Sequence, residues 1–151
     1  LDASGSDAVA FVNPGAIALS GTNTARTLTL TGSWGNGNEL ASTFGDNGTG
    51  ATSLVKTGAG FWQISGVNTY SGGTTINAGR LLAVLPGSLG SGDISVSGTG
   101  KLDVALSGSL ANDITVGSGA EIGGNGTFTG TIVIQSGGMV SAGFNNGVVD
   151  P

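Results

Sequence analysis

The sequence contains no cysteine and no histidine among its 151 residues, and only 9% of its residues are charged. Without cysteine there is no disulfide and no thiolate, and without histidine the Ser-His-Asp and Cys-His catalytic arrangements and imidazole metal sites are excluded. Only four residues are basic and the net charge is −5, so no basic stripe can neutralise a phosphate backbone. We therefore expect no nucleic-acid partner, no metal and no cofactor.

Long apolar runs and helical periodicity are also missing. No run reaches the roughly 18 apolar residues that a membrane-spanning helix needs, and no window repeats apolar residues at helical spacing. The 31 glycines interrupt nearly every stretch. Yet 38% of the residues are hydrophobic, which is too many for a solvated coil. The composition predicts an all-β protein.

Short apolar segments recur along the chain from Leu54 onward, in three interleaved series that share one period. The series are Leu54, Ile76, Ile94, Ile114 and Ile132; Trp62, Leu82, Leu102, Ile122 and Val140; and Tyr70, Leu89, Leu110 and Phe128. This pattern predicts a right-handed parallel β-helix with about three short strands per turn of roughly 20 residues. The alternative is an antiparallel sandwich, which has a strand spacing of about 8–12 residues and no superperiod.

The segment from Gly32 to Gly50 is less regular than the rest. It is predicted to be either a loop that projects from one corner or the edge of a coil, and no domain boundary is evident. We therefore expect residues 1–151 to form a single β-helix fragment of a larger protein. Asn-Gly pairs fit solenoid corners, with hairpin turns as the alternative; they begin at Asn36, Asn47, Asn125 and Asn146.

One dense motif lies within residues 54–81. It contains a lysine, a Gly-x-Gly, a tryptophan, an Asn-Thr-Tyr-Ser-Gly-Gly-Thr segment and a closing glycine, at positions Lys56, Gly58, Gly60, Trp62, Gly66, Asn68, Tyr70, Gly72, Gly73 and Gly79. This motif resembles the passenger-associated transport repeat, also called the autotransporter-associated β-strand repeat. The one departure is Ile64, which stands where that family usually has leucine.

The resemblance implies a passenger of type V secretion, which reaches the bacterial surface or the medium through the periplasm and the outer membrane. It implies a partner, the protein's own C-terminal β-barrel translocator, which we expect to lie outside this chain. The function implied is a structural stalk segment that supports secretion, folding and surface display. The alternative is an adhesin or self-association module that binds host-surface ligands or neighbouring passengers.

Three side chains of the motif invite a more specific prediction. We expect Trp62 and Tyr70 to pack in the core or over a corner, and Asn68 to satisfy backbone groups at a turn. The functional alternative for Trp62 is an exposed ring that stacks on a sugar.

Carboxylates are the only side chains left that could carry catalysis. Asp93 and Asp113 are separated by one predicted period and are expected to stack on neighbouring turns near Asp103 or Glu121. Lys101 is the only base nearby. We expect these acids to be solvated corner residues that discourage edge pairing, and we predict no catalytic residue and no enzyme.

Overall fold

A computed structural model describes residues 1–105 and 108–142. Within these residues there are thirteen strands and no helix, hence none long and apolar enough to cross a membrane. The strands are β1 (Ala10–Phe11), β2 (Arg26–Leu30), β3 (Glu39–Leu40), β4 (Thr52–Lys56), β5 (Phe61–Ile64), β6 (Thr74–Ala83), β7 (Ile94–Val104), β8 (Ser109–Leu110), β9 (Ile114–Val116), β10 (Glu121–Gly124), β11 (Thr127–Phe128), β12 (Ile132–Ile134) and β13 (Met139–Ala142).

The strands stack in parallel into a three-sided solenoid, which confirms the predicted β-helix. The first face consists of β2, β4, the start of β6, the start of β7, β9 and β12. The second face consists of β1, β3, β5, the remainder of β6 and β7, β10 and β13. The third face is shorter, with isolated bridges and the β8–β11 pair.

Register on the first face repeats at the predicted period through Leu54, Thr74, Ile94 and Ile114. The predicted first series was therefore wrong at Ile76, which stacks two positions further on, over Lys56. A series chosen from apolar residues cannot detect this shift, because the inward positions here include the buried polar side chains of Thr74 and Lys56.

Register on the second face corrects the second series. Leu81 pairs with Trp62 and Leu102, whereas Leu82 pairs with Gln63 on the outer side of the sheet. Leu81 is fully buried. Two adjacent leucines are indistinguishable in an apolar series, so only the register decides which of them points inward.

The turns before Leu54 are longer than those after it. The backbone of Val9 is hydrogen-bonded to the side chain of Asn38, 29 residues later, at the place where β1 stacks on β3. Where β3 stacks on β5, the stacked residues Glu39 and Gln63 are 24 residues apart. Beyond β6, the stacked residues Lys101 and Glu121 are only 20 residues apart. The solenoid thus changes from wide to narrow turns, and the change falls at β4 and β5.

The segment from Gly32 to Gly50 lies within the coil rather than projecting from it or forming its edge. Strand β3 is paired on both sides, by β1 and β5. Leu40 and Phe44 are buried in the core. A short hairpin follows, in which Asn47 and Gly50 exchange two backbone hydrogen bonds of 2.9 and 3.1 Å. At Asn47 the prediction of a corner was therefore wrong, while Asn146 lies outside the described residues.

The core is one continuous column of inward side chains. In β4 the burial alternates strictly, with Thr52, Leu54 and Lys56 inside and the two residues between them partly exposed. Each fully buried leucine or isoleucine contributes roughly 1.5–3 kcal/mol. Because one turn cannot bury its apolar face alone, stability depends on contacts between neighbouring turns.

Candidate functional site

The motif of residues 54–81 forms one complete turn and the start of the next. It contains most of β4, all of β5, a third-face bridge at Thr69, and most of β6. Strand β6 then stacks on both β4 and β5. The second part of the motif therefore lies directly on the first part, and motif residues far apart in sequence meet.

Lys56 points into the core and is fully buried. Its ammonium group Nζ donates hydrogen bonds to three backbone carbonyls, those of Thr57 at 2.7 Å, Gly58 at 2.8 Å and Ala78 at 3.1 Å. These three acceptors match the three donors of an ammonium group. No carboxylate forms an ion pair with Lys56 within the described residues. The side chain therefore joins its own turn to the next through backbone carbonyls.

Burial lowers the pKa of Lys56 from 10.5 to about 8. The folded chain then releases this proton near pH 8, whereas the unfolded chain keeps it up to about pH 10.5. Because the unfolded state binds more protons in between, the free energy of unfolding should rise with pH in this window, by up to about 2 kcal/mol between pH 8 and 9.5. Urea denaturation at several pH values checks this. Lys56→Met should lose the rise and Lys101→Met should keep it; an equal slope in both variants would contradict the assignment.

The motif glycines lie where the backbones of adjacent turns approach most closely. A Cβ on Gly60 would stand 2.5 Å from the carbonyl oxygen of Trp34, and one on Gly66 would stand 2.5 Å from that of Ser42. The other four motif glycines contact a neighbouring turn in the same way: Gly58 against Gly32, Gly72 against Thr52, Gly73 against Asp93 and Gly79 against Gly58. A side chain at these positions would therefore separate the turns.

Trp62 and Tyr70 are both fully buried in the core. The indole Nε1 of Trp62 donates to the carbonyl of Thr31 at 3.0 Å, in the preceding turn. The Tyr70 ring stacks on Phe44 with centroids 4.7 Å apart, and its hydroxyl lies 2.7 Å from that of Thr74. Burial raises the pKa of Tyr70. Because Trp62 has no exposed surface, it does not offer a ring for sugar stacking.

Asn68 links three successive turns through one side chain. Its Oδ1 accepts from the backbone N–H of Phe44 at 2.9 Å, and its Nδ2 donates to the carbonyls of Gly66 at 3.1 Å and Ser88 at 2.6 Å. The amide is buried, and all three bonds satisfy backbone groups that stacking removes from water.

Sequence reasoning missed a second asparagine of this kind. Asn38 accepts from the backbone N–H of Val9 at 2.9 Å and donates to the carbonyls of Trp34 at 3.1 Å and Phe61 at 2.7 Å. The only available signal was the residue type, because Asn38 and Asn68 are not separated by a whole number of predicted periods.

The acidic residues do not gather into one site. Asp103 is buried within β7 in ion pairs with Arg80 and Lys101, so the prediction of a solvated corner residue was wrong at this position. Lys101 Nζ lies 2.9 Å from a carboxylate oxygen of Glu121. Although burial opposes it, hydrogen bonds from Ser141 and Lys101 lower the pKa of Glu121. Among residues 1–105 and 108–142, no group of three acidic residues could hold a metal ion.

Asp93 and Asp113 lie elsewhere, at the start of the first-face strands. Asp113 Oδ1 accepts from the backbone N–H of Thr131 at 2.7 Å, and the Asp113 carbonyl accepts from Ile94 N–H at 2.8 Å. These two acids are therefore corner residues of stacked turns, and the structure does not bring them together with the Asp103 ion pairs.

The outer side of the first face carries a column of uncharged residues that sequence reasoning also missed. Six successive turns contribute one outward residue each, namely Thr29, Val55, Thr75, Ser95, Thr115 and Val133. The second face, by contrast, carries Glu39, Arg80, Lys101, Asp103 and Glu121. The outward column of the first face is thus uncharged, whereas the outer side of the second face carries charges of both signs.

Comparison with known families gives the class of the protein. The family model described as the passenger-associated-transport-repeat matches residues 54–83, ending two residues beyond the predicted motif. Together with the solenoid and the similarity described next, this match identifies the chain as autotransporter passenger sequence. Such a passenger is surface-displayed or secreted by way of the outer membrane, as predicted.

A specific relative extends the similarity beyond the repeat. The chain is 38% identical over 141 residues to the protein named Adhesin BmaC autotransporter from Brucella suis biovar 1 (strain 1330). The alignment covers 93% of this chain but only 4% of that adhesin, so the chain corresponds to a small part of its relative. No solved structure matches the chain significantly.

Proposed function

We propose that this chain is a non-enzymatic stalk segment of an autotransporter passenger, in which the repeat of residues 54–83 supports secretion and folding. The observation that carries the proposal is the interior of the repeat. Lys56, Trp62 and Asn68 all donate to backbone carbonyls across turns, and none of the three is accessible to a ligand. Residues buried in this way can stabilise turns but cannot bind a partner.

Stacking gives a physical basis for support of secretion. A turn that folds outside the membrane buries apolar area, at roughly 25 cal/mol per Å², and thereby opposes backward movement of the chain. The repeat adds the hydrogen bonds of Lys56 and Asn68 to this burial. With no disulfide to form or break, the chain can also remain extended until it emerges.

The test is a pair of deletions in the full-length parent protein, each removing one turn without changing the register. Deletion of residues 54–73 brings Thr74 into the place of its stacking partner Leu54, and deletion of residues 94–113 does the same for Ile114 and Ile94. Surface labelling should show that display falls several-fold for the first deletion and changes little for the second. Equal display from both deletions would refute the special role of the repeat.

A second candidate function is self-association or adhesion through the first face. Its column of hydroxyl-bearing and β-branched residues carries no charge, and hydroxyl groups both donate and accept hydrogen bonds. Such a surface can complement a second copy of itself, whereas the rest of a chain of net charge −5 repels its copy. The relative named as an adhesin is consistent with this candidate.

Lysines placed on the first face separate this candidate from the stalk. Cells that display Thr75→Lys/Thr115→Lys should aggregate less than wild type if the face mediates self-association, because like charges would oppose each other. Ser109→Lys/Thr127→Lys, which adds the same two charges at stacked exposed positions of the third face, is the matched control. Unchanged sedimentation of cells that carry the double variant would exclude this candidate.

A further inference from the structure

The turn formed by residues 54–73 stands between two kinds of coil. Contacts to the turn before it join residues far apart in sequence: Glu39 and Gln63 are 24 residues apart, and Asp46 and Ser71 are 25 residues apart. Contacts to the turn after it join residues that are closer, since Asn68 and Ser88 are 20 residues apart. Turns of different length cannot match residue by residue along their whole perimeter, so backbone pairing alone does not join them everywhere.

Backbone pairing on the two sides of this turn is distributed differently between the faces. Toward the wide turn, β2 and β4 share five residue pairs and β3 and β5 share two; toward the narrow coil, β4 and β6 share three and β5 and β6 share four. In a solenoid, stability is a sum over interfaces between neighbouring turns. On the second face, where the wide turn shares only two pairs with β5, the interface therefore depends more on side-chain contacts.

Side chains of residues 54–73 reach across the interface to the wide turn. Trp62 donates to the carbonyl of Thr31, Asn68 accepts from Phe44 N–H, and the Tyr70 ring stacks on Phe44. Ser71 adds two bonds to the carboxylate of Asp46, at 2.9 Å from its N–H and 2.6 Å from its hydroxyl. These contacts all run from the turn of residues 54–73 to the wide turn before it.

Other side-chain contacts of the same turn run forward to the narrow coil. Lys56 donates to the carbonyl of Ala78, and Asn68 donates to that of Ser88. Trp62 thus contacts the wide turn before it, and Lys56 contacts the narrow coil after it. Asn68 contacts both.

We propose that the turn of residues 54–73 is a junction that couples the wide turns to the narrow turns, so that both unfold as one cooperative unit. Trp62 is the positioning residue on the wide side and Lys56 is the one on the narrow side. This property belongs to the chain itself and holds whether or not the repeat assists secretion.

Hydrogen–deuterium exchange of the whole chain tests the junction. Trp62→Phe keeps a buried ring but removes the indole N–H, so amides of residues 26–44 should exchange about five-fold faster, as expected for one lost hydrogen bond, while those of residues 74–104 keep their rates. Lys56→Met should give the opposite pattern, with faster exchange in residues 74–83. The matched control is Trp34→Phe, because the Trp34 indole donates no hydrogen bond to the turn of residues 54–73; this variant should leave both regions unchanged.

Two outcomes would overturn the junction. One is that Trp62→Phe and Lys56→Met each accelerate exchange equally on both sides. The other is that Trp34→Phe reproduces the effect of Trp62→Phe. Because exchange is measured on the purified chain, failure here is distinguishable from a failure of the display experiment in cells.

Discussion

Gly79→Ala should destabilise the chain by about 3–5 kcal/mol, which would be one of the largest effects of a single methyl group in this protein. Gly79 has a φ of +66°, in the left-handed region that alanine adopts only at a cost. Its Cβ would also stand 2.5 Å from the carbonyl oxygen of Gly60 and 2.7 Å from Nζ of Lys56, and closer still to the carbonyl of Gly58. The new methyl group would therefore push β6 off β5 and separate Lys56 from its acceptors.

The control for this variant is Gly35→Ala. A Cβ on Gly35 meets nothing within 4 Å, so its effect should remain within about 0.5 kcal/mol. Urea denaturation of both variants measures the difference. Comparable unfolding midpoints for Gly79→Ala and Gly35→Ala would mean that the turns are not packed as closely at Gly79 as described.

Trp62→Ala should cost a similar amount, about 3–5 kcal/mol. Trp62 is among the largest fully buried side chains and lies between the wide turn that contains Leu40 and the narrow coil that includes Leu81. Truncation leaves a cavity that the stacked strands cannot close, because their spacing is fixed by backbone hydrogen bonds. It also removes one of the two donors to the Thr31 carbonyl, the other being the backbone N–H of Ala3.

Trp34→Ala provides the comparison for Trp62→Ala. Trp34 packs against the core but is only partly buried, so its loss should cost about half as much or less. Thermal or urea unfolding of the two variants gives the ranking. If Trp34→Ala proved the more destabilising, the assignment of Trp62 to the interior would be wrong.

The stacking of the regular part of the solenoid could be predicted from the sequence because its inward positions are almost all aliphatic. Ile94, Ile114 and Ile132 stack as the period predicted. The predicted stacking was wrong near Lys56 and Thr74, where polar side chains point inward. A pattern of apolar residues cannot identify such inward positions. Nothing local distinguishes an inward lysine from a surface one; its three carbonyl partners come from the turn corner and the next turn.

The wide turns were less predictable for a different reason. Between Gly32 and Gly50 the extra residues form a hairpin and an asparagine-bridged corner, so the apolar residues Leu40 and Phe44 fall out of the period of the narrow turns. The resemblance to the transport repeat identified the residues of the motif. It did not reveal that Lys56 bonds to the following turn whereas Trp62 bonds to the preceding one. These partners are defined only by the stacking of the turns.

The change in turn length also sets how far a given stretch of chain can extend from its anchor. Parallel strands of neighbouring turns are spaced by ~4.8 Å, so about 100 residues wound in narrow turns of about 20 advance ~24 Å along the solenoid axis. The same length of chain wound at about 26 per turn, as between Asn23 and Thr49, advances only ~18 Å. For the same number of residues, narrow turns thus give a longer solenoid and wide turns give one with a larger cross-section. Residues 54–73 mark the place where this passenger changes from wide to narrow turns.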